Sequence, residues 1–292
     1  MSETMALMKN KKLFILSAII IVVFLLLGWL CLVLSSGIAT DTGRYNTVAD
    51  RAYSWRTGGW IPGGLISKDQ VDDKCTVYIQ ESGGFEPYLA LTAYYGGNVL
   101  LLRKYLLPEL MPFNENESHL WNWEQFGAYY EDSTIDKYLN TAFINTLSQA
   151  VRDAVVDSDI IITDKSSWYF GRWDYSGIKT RTILRKAFLL SLKELSGPAL
   201  STVAPEGKPL KYFKDDYRRR AADFPYGEKC SYWTRTPEIW DTYIVIFINN
   251  YGVGSETADI HKGIRPAFCL KKTTTITQRT DIISGQTVYA VE

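Results

Sequence analysis

Six consecutive apolar residues, Tyr243-Ile-Val-Ile-Phe-Ile248, run directly into Asn249-Asn-Tyr-Gly252. A run this short, rich in β-branched and aromatic side chains and closed by a turn signal, reads as a strand buried on both faces. Such a strand needs neighbours. Tyr232-Trp-Thr-Arg-Thr236 before it and Ile264 to Leu270 after it are the candidates. Each carries an arginine beside a proline, Arg235 near Pro237 and Arg265 before Pro266. Proline leaves a carbonyl of the ladder without its usual partner, and a guanidinium offers a fork of donors to fill the gap. Arg235, Arg265 and Pro266 are therefore read as structural, with Trp233 as a core aromatic.

These residues also carry a resemblance. Tyr-Trp-Thr-Arg-Thr-Pro237 followed by Gly263-Ile-Arg-Pro-Ala-Phe268 resembles the Trp-Trp-Leu-Arg-Ser-Pro and Val-Arg-Pro-Ala signature of a family of bacterial and phage domains of unknown function. That family is similar to the C-type-lectin-like fold of formylglycine-generating enzymes. Three further segments match in order: Gly97 to Leu102, Ile135 to Asn140 with Ala142-Phe143, and Phe188 to Glu194. Over Thr76 to Lys272 the resemblance implies an α+β domain with a twisted, mostly antiparallel sheet and two helices. It carries over scaffold residues only, because fold does not give function.

Upstream, Leu13 to Leu34 is twenty-two residues without a charge, preceded by Lys9, Lys11 and Lys12. At ~1.5 Å of rise per residue it crosses a hydrocarbon layer of about 30 Å. It is longer than the apolar region of a secretory signal, about 7–15 residues, so an uncleaved anchor is favoured over a signal peptide. The lysines place residues 1–12 in the cytoplasm and the remainder outside, making a single-pass plasma-membrane protein. Residues 35–75 read as a stalk, partly docked through Trp55 and Trp60. Residues 76–272 form the lectin-like domain and 273–292 a C-terminal extension. Lysine plus arginine equals aspartate plus glutamate, 32 each, so no global field recruits nucleic acid.

Within the domain, Thr76 to Gln80, Tyr88 to Tyr94 and Asn98 to Leu102 are strands, the last two joined through Gly96-Gly97 as a hairpin. Pro112 to Asp132, acidic and aromatic, reads as an exposed excursion. Ser133-Thr-Ile-Asp136 forms a capping box opening one helix, and a second runs from Ser148 to Val156. Ile160 to Ile162, Trp168 to Phe170 and Phe188 to Leu192 are short strand-like runs. The charged stretch Lys214 to Asp223, with Arg218-Arg-Arg220, reads as a solvated helix face.

Only two histidines occur, His119 and His261, and no metal-binding, phosphate-loop or nucleophile-elbow motif is present; no metal, cofactor or catalytic residue is assigned. Beyond the anchor run the cysteines are Cys75, Cys230 and Cys269. Cys230 and Cys269 are either a candidate disulfide or separate thiols. The expected ligand face lies between the two signature motifs: Trp240, Asp241 and Tyr243 before the buried strand, and Asn249, Asn250 and Tyr251 at its turn. Tyrosine and tryptophan give stiff contact area, and asparagine supplies hydrogen bonds. The expected function is a membrane-anchored extracellular module binding a glycan or protein. The rival readings are an enzyme with a formylglycine-type thiol at Cys230 or Cys269, activated by Arg235 or Arg265, and a structural component of an envelope assembly.

Overall fold

A computed structural model describes residues 45–54, 68–115, 127–168, 178–280 and 287–291. The expected anchor at 13–34, Trp55, Trp60 and most of the acidic stretch 116–126 lie outside the described residues. Among the described residues no helix is long and apolar enough to cross a membrane.

The fold is α+β, built on a curled, mostly antiparallel sheet. A 3-10 turn, Val48–Arg51, and a helix, Lys68–Cys75, lead into β1 (Thr76–Glu81), β2 (Gly84–Tyr95) and β3 (Asn98–Arg103). β2 and β3 pair antiparallel as expected. Their turn uses Gly96 at φ +54° and Gly97 at φ +87°, the left-handed pair that a two-residue hairpin matching the sheet's twist requires. After β4 (Met111–Pro112), Thr134–Tyr138 opens a helix that passes through a π-helical turn, Leu139–Phe143, and closes at Ile144–Thr146. Ser133 caps it by accepting from the Asp136 amide, while the Asp136 carboxylate reaches back to the Asp132 amide. A second helix, Gln149–Ala154, is capped by Ser148. β5 (Val155–Val156), β6 (Ser158–Thr163), β7 (Thr180–Arg185) and β8 (Ala187–Phe188) follow, then a short helix, Lys211–Asp215, and a 3-10 turn, Tyr217–Arg220. The last strands are β9 (Tyr232–Pro237), β10 (Ile244–Asn249), β11 (Gly252–Thr257), β12 (His261–Lys262), β13 (Ala267–Leu270), β14 (Thr277–Thr280) and β15 (Thr287–Val291).

The main sheet runs β14-β15-β1-β2-β3-β13-β5, with β8 also on β13. Only β15 on β1 is parallel within it, so strands from 273–292 complete the sheet's edge. A second sheet, β11-β10-β9, carries the buried strand. Its pairing with β9 is as expected, antiparallel with a bulge between Val245 and Phe247. The other expected neighbour is not. β13 lies in the main sheet between β3 and the short strands β5 and β8, and β10 instead folds back on β11 as a tight hairpin.

Two further expectations are corrected. Phe188 to Leu192 is strand only at Ala187–Phe188, because side chains take the backbone groups that a ladder would use: the Tyr130 hydroxyl accepts from the Leu189 amide, Arg235 donates to the Leu189 carbonyl, and Thr236 accepts from the Leu192 amide. The ends of the acidic stretch are not exposed either. Phe113, Ala128, Tyr129 and Tyr130 are buried, with Phe113 edge-on to Trp233 at 5.9 Å. Trp233 is a core residue, 1% exposed, its indole donating to the Met111 carbonyl.

Candidate functional site

The signature residues meet in a buried polar network. Arg235, 0% exposed, donates from both terminal nitrogens to Glu194 at 2.7 and 2.9 Å, and to the carbonyls of Ile161 and Leu189. Burial works against the guanidinium charge, and the Glu194 carboxylate more than offsets it. Glu194 accepts in addition from the Tyr95 hydroxyl and the Ser191 amide. Beside it Glu206, also 0% exposed, accepts from Thr163 and Thr236; burial lifts its carboxyl to about 7. Arg265 gives its donors to the carbonyls of Arg103, Lys104 and Arg220. Asn140, from the expected first helix, bonds the Lys186 and Ala187 backbone. Both arginines thus hold backbone carbonyls, and Arg235 a buried carboxylate as well.

Among the described residues the cysteines form no disulfide. Cys75, Cys230 and Cys269 are free thiols. Cys269 sits inside the main sheet opposite Leu100 and Val156, whereas Cys230 precedes β9 in the other sheet, so their strands never pair. Burial raises both thiols, Cys269 to about 12, which is opposite to what a reactive thiolate requires.

The six expected ligand residues separate into two groups. Trp240, Asp241 and Tyr243 stand before β10, and Asn249, Asn250 and Tyr251 at its far end. A strand of this length sets the groups roughly 20 Å apart at ~3.4 Å per residue, so one small ligand does not reach both. The first group belongs to a braced loop: the Trp168 indole donates to the carbonyls of Glu238 and Asp241, the Ile239 amide to Thr202, and the Tyr243 amide to the Asp241 side chain. Trp240 remains about half exposed.

The second group faces a partner that sequence reasoning did not supply. The Asn249 Oδ1 accepts from the amides of both Tyr251 and Gly252 at 2.8 Å, an Asx turn that fixes the tip in one shape. Tyr251 on that turn is 100% exposed. Beneath the tip opens a cleft of about 460 Å³, walled by Tyr217, Arg218, Arg220 and Lys229, with Asp223 as the counter-charge. Arg220 is anchored through the Leu195 and Ser196 carbonyls. Arg218 is held by both oxygens of Asp216 while its side chain stays 70% exposed. Tyr217 is 68% exposed, with the Arg220 guanidinium 5.8 Å from its ring. Flat faces, amide donors and cations converge there on stiff backbone, an arrangement suited to recognition. The sequence signal for this cleft is the charge run that contains Arg218 and Arg220, with Tyr217 beside it. Among the described residues no His, Cys, Asp or Glu cluster can hold a metal ion.

A family model described as a domain of unknown function (DUF6273) matches residues 96–272, more than half of the chain. No curated protein matches, and no solved structure matches.

Proposed function

We propose that this chain, which belongs to the DUF6273 family of unknown function, is a membrane-anchored extracellular binding module that seats a glycan or protein ligand at the β10–β11 hairpin tip. The observation that carries the reading is Tyr251, fully exposed on a turn locked by Asn249 over a cleft with three cationic side chains and one carboxylate. A tyrosine left wholly in water on a rigid support costs the fold little and gives a partner a flat, low-entropy contact. The C-type-lectin-like assignment is part of the same proposal. It draws on the ordered motif segments and on the way Arg235, Glu194, Asn140 and Arg265 interlock them. The anchor draws on the uncharged run Leu13 to Leu34 and the lysines before it. A thiol enzyme has no comparable support, because burial opposes ionisation of both Cys230 and Cys269.

The ligand is tested by presenting the purified full-length chain in detergent to a glycan array and to solubilised cell-envelope material. A saturable partner is expected, lost on Tyr251→Ala and kept on Trp240→Ala; dependence on Trp240 alone would move the site to the other end of β10. The anchor is tested by adding protease to intact cells. Digestion of the domain is expected, and full protection would reverse the orientation.

A further inference from the structure

A second cleft lies away from the hairpin tip and shares no lining residue with it. It has a volume of about 780 Å³, the size of site that takes drug-sized ligands, roughly 300–1,000 Å³. Its walls are the rings of Tyr53, Tyr94 and Tyr95 and the side chains of Leu91, Ile161 and Leu210. Two of the rings are held in place, Tyr53 by Asp215 and Arg219 at its hydroxyl and Tyr95 by Glu194 and by stacking on Phe188 at 5.7 Å, while Tyr94 is largely exposed with the Lys272 ammonium 4.6 Å from its ring.

What decides the ligand is where unspent polarity remains. At the floor Glu194 already accepts four hydrogen bonds, two from Arg235 and one each from Tyr95 and Ser191. A ligand hydroxyl or amide pushed to that depth would give up water without gaining a partner there. At the rim the balance is reversed. Lys211 is taken by Asp215, but Asp159 and Lys208, both exposed, have no side-chain partner among the described residues. The cleft therefore offers apolar walls, the hydroxyls of Ser54 and Thr92, and one anionic and one cationic contact at its mouth. A free-ended peptide fits it: apolar side chains against the tyrosines and leucines, its ammonium toward Asp159 and its carboxylate toward Lys208. The volume exceeds what one amino acid fills.

We propose that this cleft is a second binding site, for a short free-ended peptide with apolar side chains. The test is calorimetric titration of the full-length chain with the tripeptide Leu-Phe-Leu and with its N-acetylated and C-amidated forms. Saturable binding is expected, weakened about fivefold by removal of either charge, the yield of one partly exposed ion pair. Asp159→Ala should weaken the free peptide to the same degree and make N-acetylation silent, and Lys208→Ala should do the same for C-amidation. Both residues are exposed, so melting temperatures should hold, and Tyr251→Ala should leave the titration unchanged. No saturable binding, or binding indifferent to the end groups and to both variants, overturns the proposal.

Discussion

Arg235 and Arg218 carry the same fork of donors and each grips a carboxylate through two nitrogens, yet one is sealed in the core against Glu194 and the other stands in solvent beside Asp216. Around Arg235 every partner is a fixed part of the scaffold: two carbonyls, a carboxylate that also holds Tyr95 and Ser191, and the floor of a cleft. Around Arg218 the side chain is 70% exposed, next to Tyr217 and across from Tyr251. Removing the first leaves an uncompensated buried charge, whereas removing the second returns a carboxylate to water. The difference teaches where to look for function here: the buried motif residues build the platform, and the exposed residues on it are the ones free to meet a partner under the proposed function.

Arg235→Ala should show the largest effect. Breaking a buried pair costs about 3–5 kcal/mol, so equilibrium unfolding should find the variant severely destabilised or unfolded, while the exposed Arg218→Ala should unfold like the parent. Equal losses would erase the contrast between the regions. Trp233→Ala belongs with the first. It removes a fully buried indole between Phe113 and Phe247 and should cost about 3–5 kcal/mol, against less than ~1 kcal/mol for the half-exposed Trp240→Ala in the same measurement.

Glu206 sharpens the comparison through pH. Its carboxyl is lifted from 4.5 to about 7 by burial, so between those values the folded state holds a proton that the unfolded state has released. Stability from this group is therefore full at or below pH 4.5 and falls as pH rises to about 7, by on the order of 3 kcal/mol. Glu206→Gln should flatten that window in denaturant titrations run across pH. A window unchanged in the variant would assign the dependence elsewhere. Smaller still is Gly254→Ala at the root of the hairpin. An added Cβ would lie 2.4 Å from the Phe247 ring, and displacing that ring should cost about 1–3 kcal/mol.

Much of the platform is legible in the sequence. β10, its pairing with β9, the β2–β3 hairpin and both helices follow from apolar runs, turn glycines and capping serines. What escaped has physical causes. β11, Gly-Val-Gly-Ser-Glu-Thr257, lacks the alternation that marks a half-buried strand, so the more apolar Ile264 to Leu270 was matched to β10 instead. Phe188 to Leu192 is as apolar as a strand, but its backbone is satisfied by Tyr130, Arg235 and Thr236, partners remote in sequence. The expected ligand residues share residue type and one segment, and type says nothing about which end of a strand a loop occupies. The cleft around Tyr53, Tyr94 and Lys208 joins segments too distant in sequence for any motif to mark.

The most direct test of this division of labour is ligand retention by the Tyr251→Ala/Arg218→Ala double variant of the full-length chain, measured beside its unfolding free energy. Separate platform and recognition surfaces predict retention reduced at least about tenfold, as expected when a central aromatic contact and a cation are lost together, with an unfolding transition like the parent's. Undiminished retention, or a loss accompanied by a collapse in stability, would contradict the account.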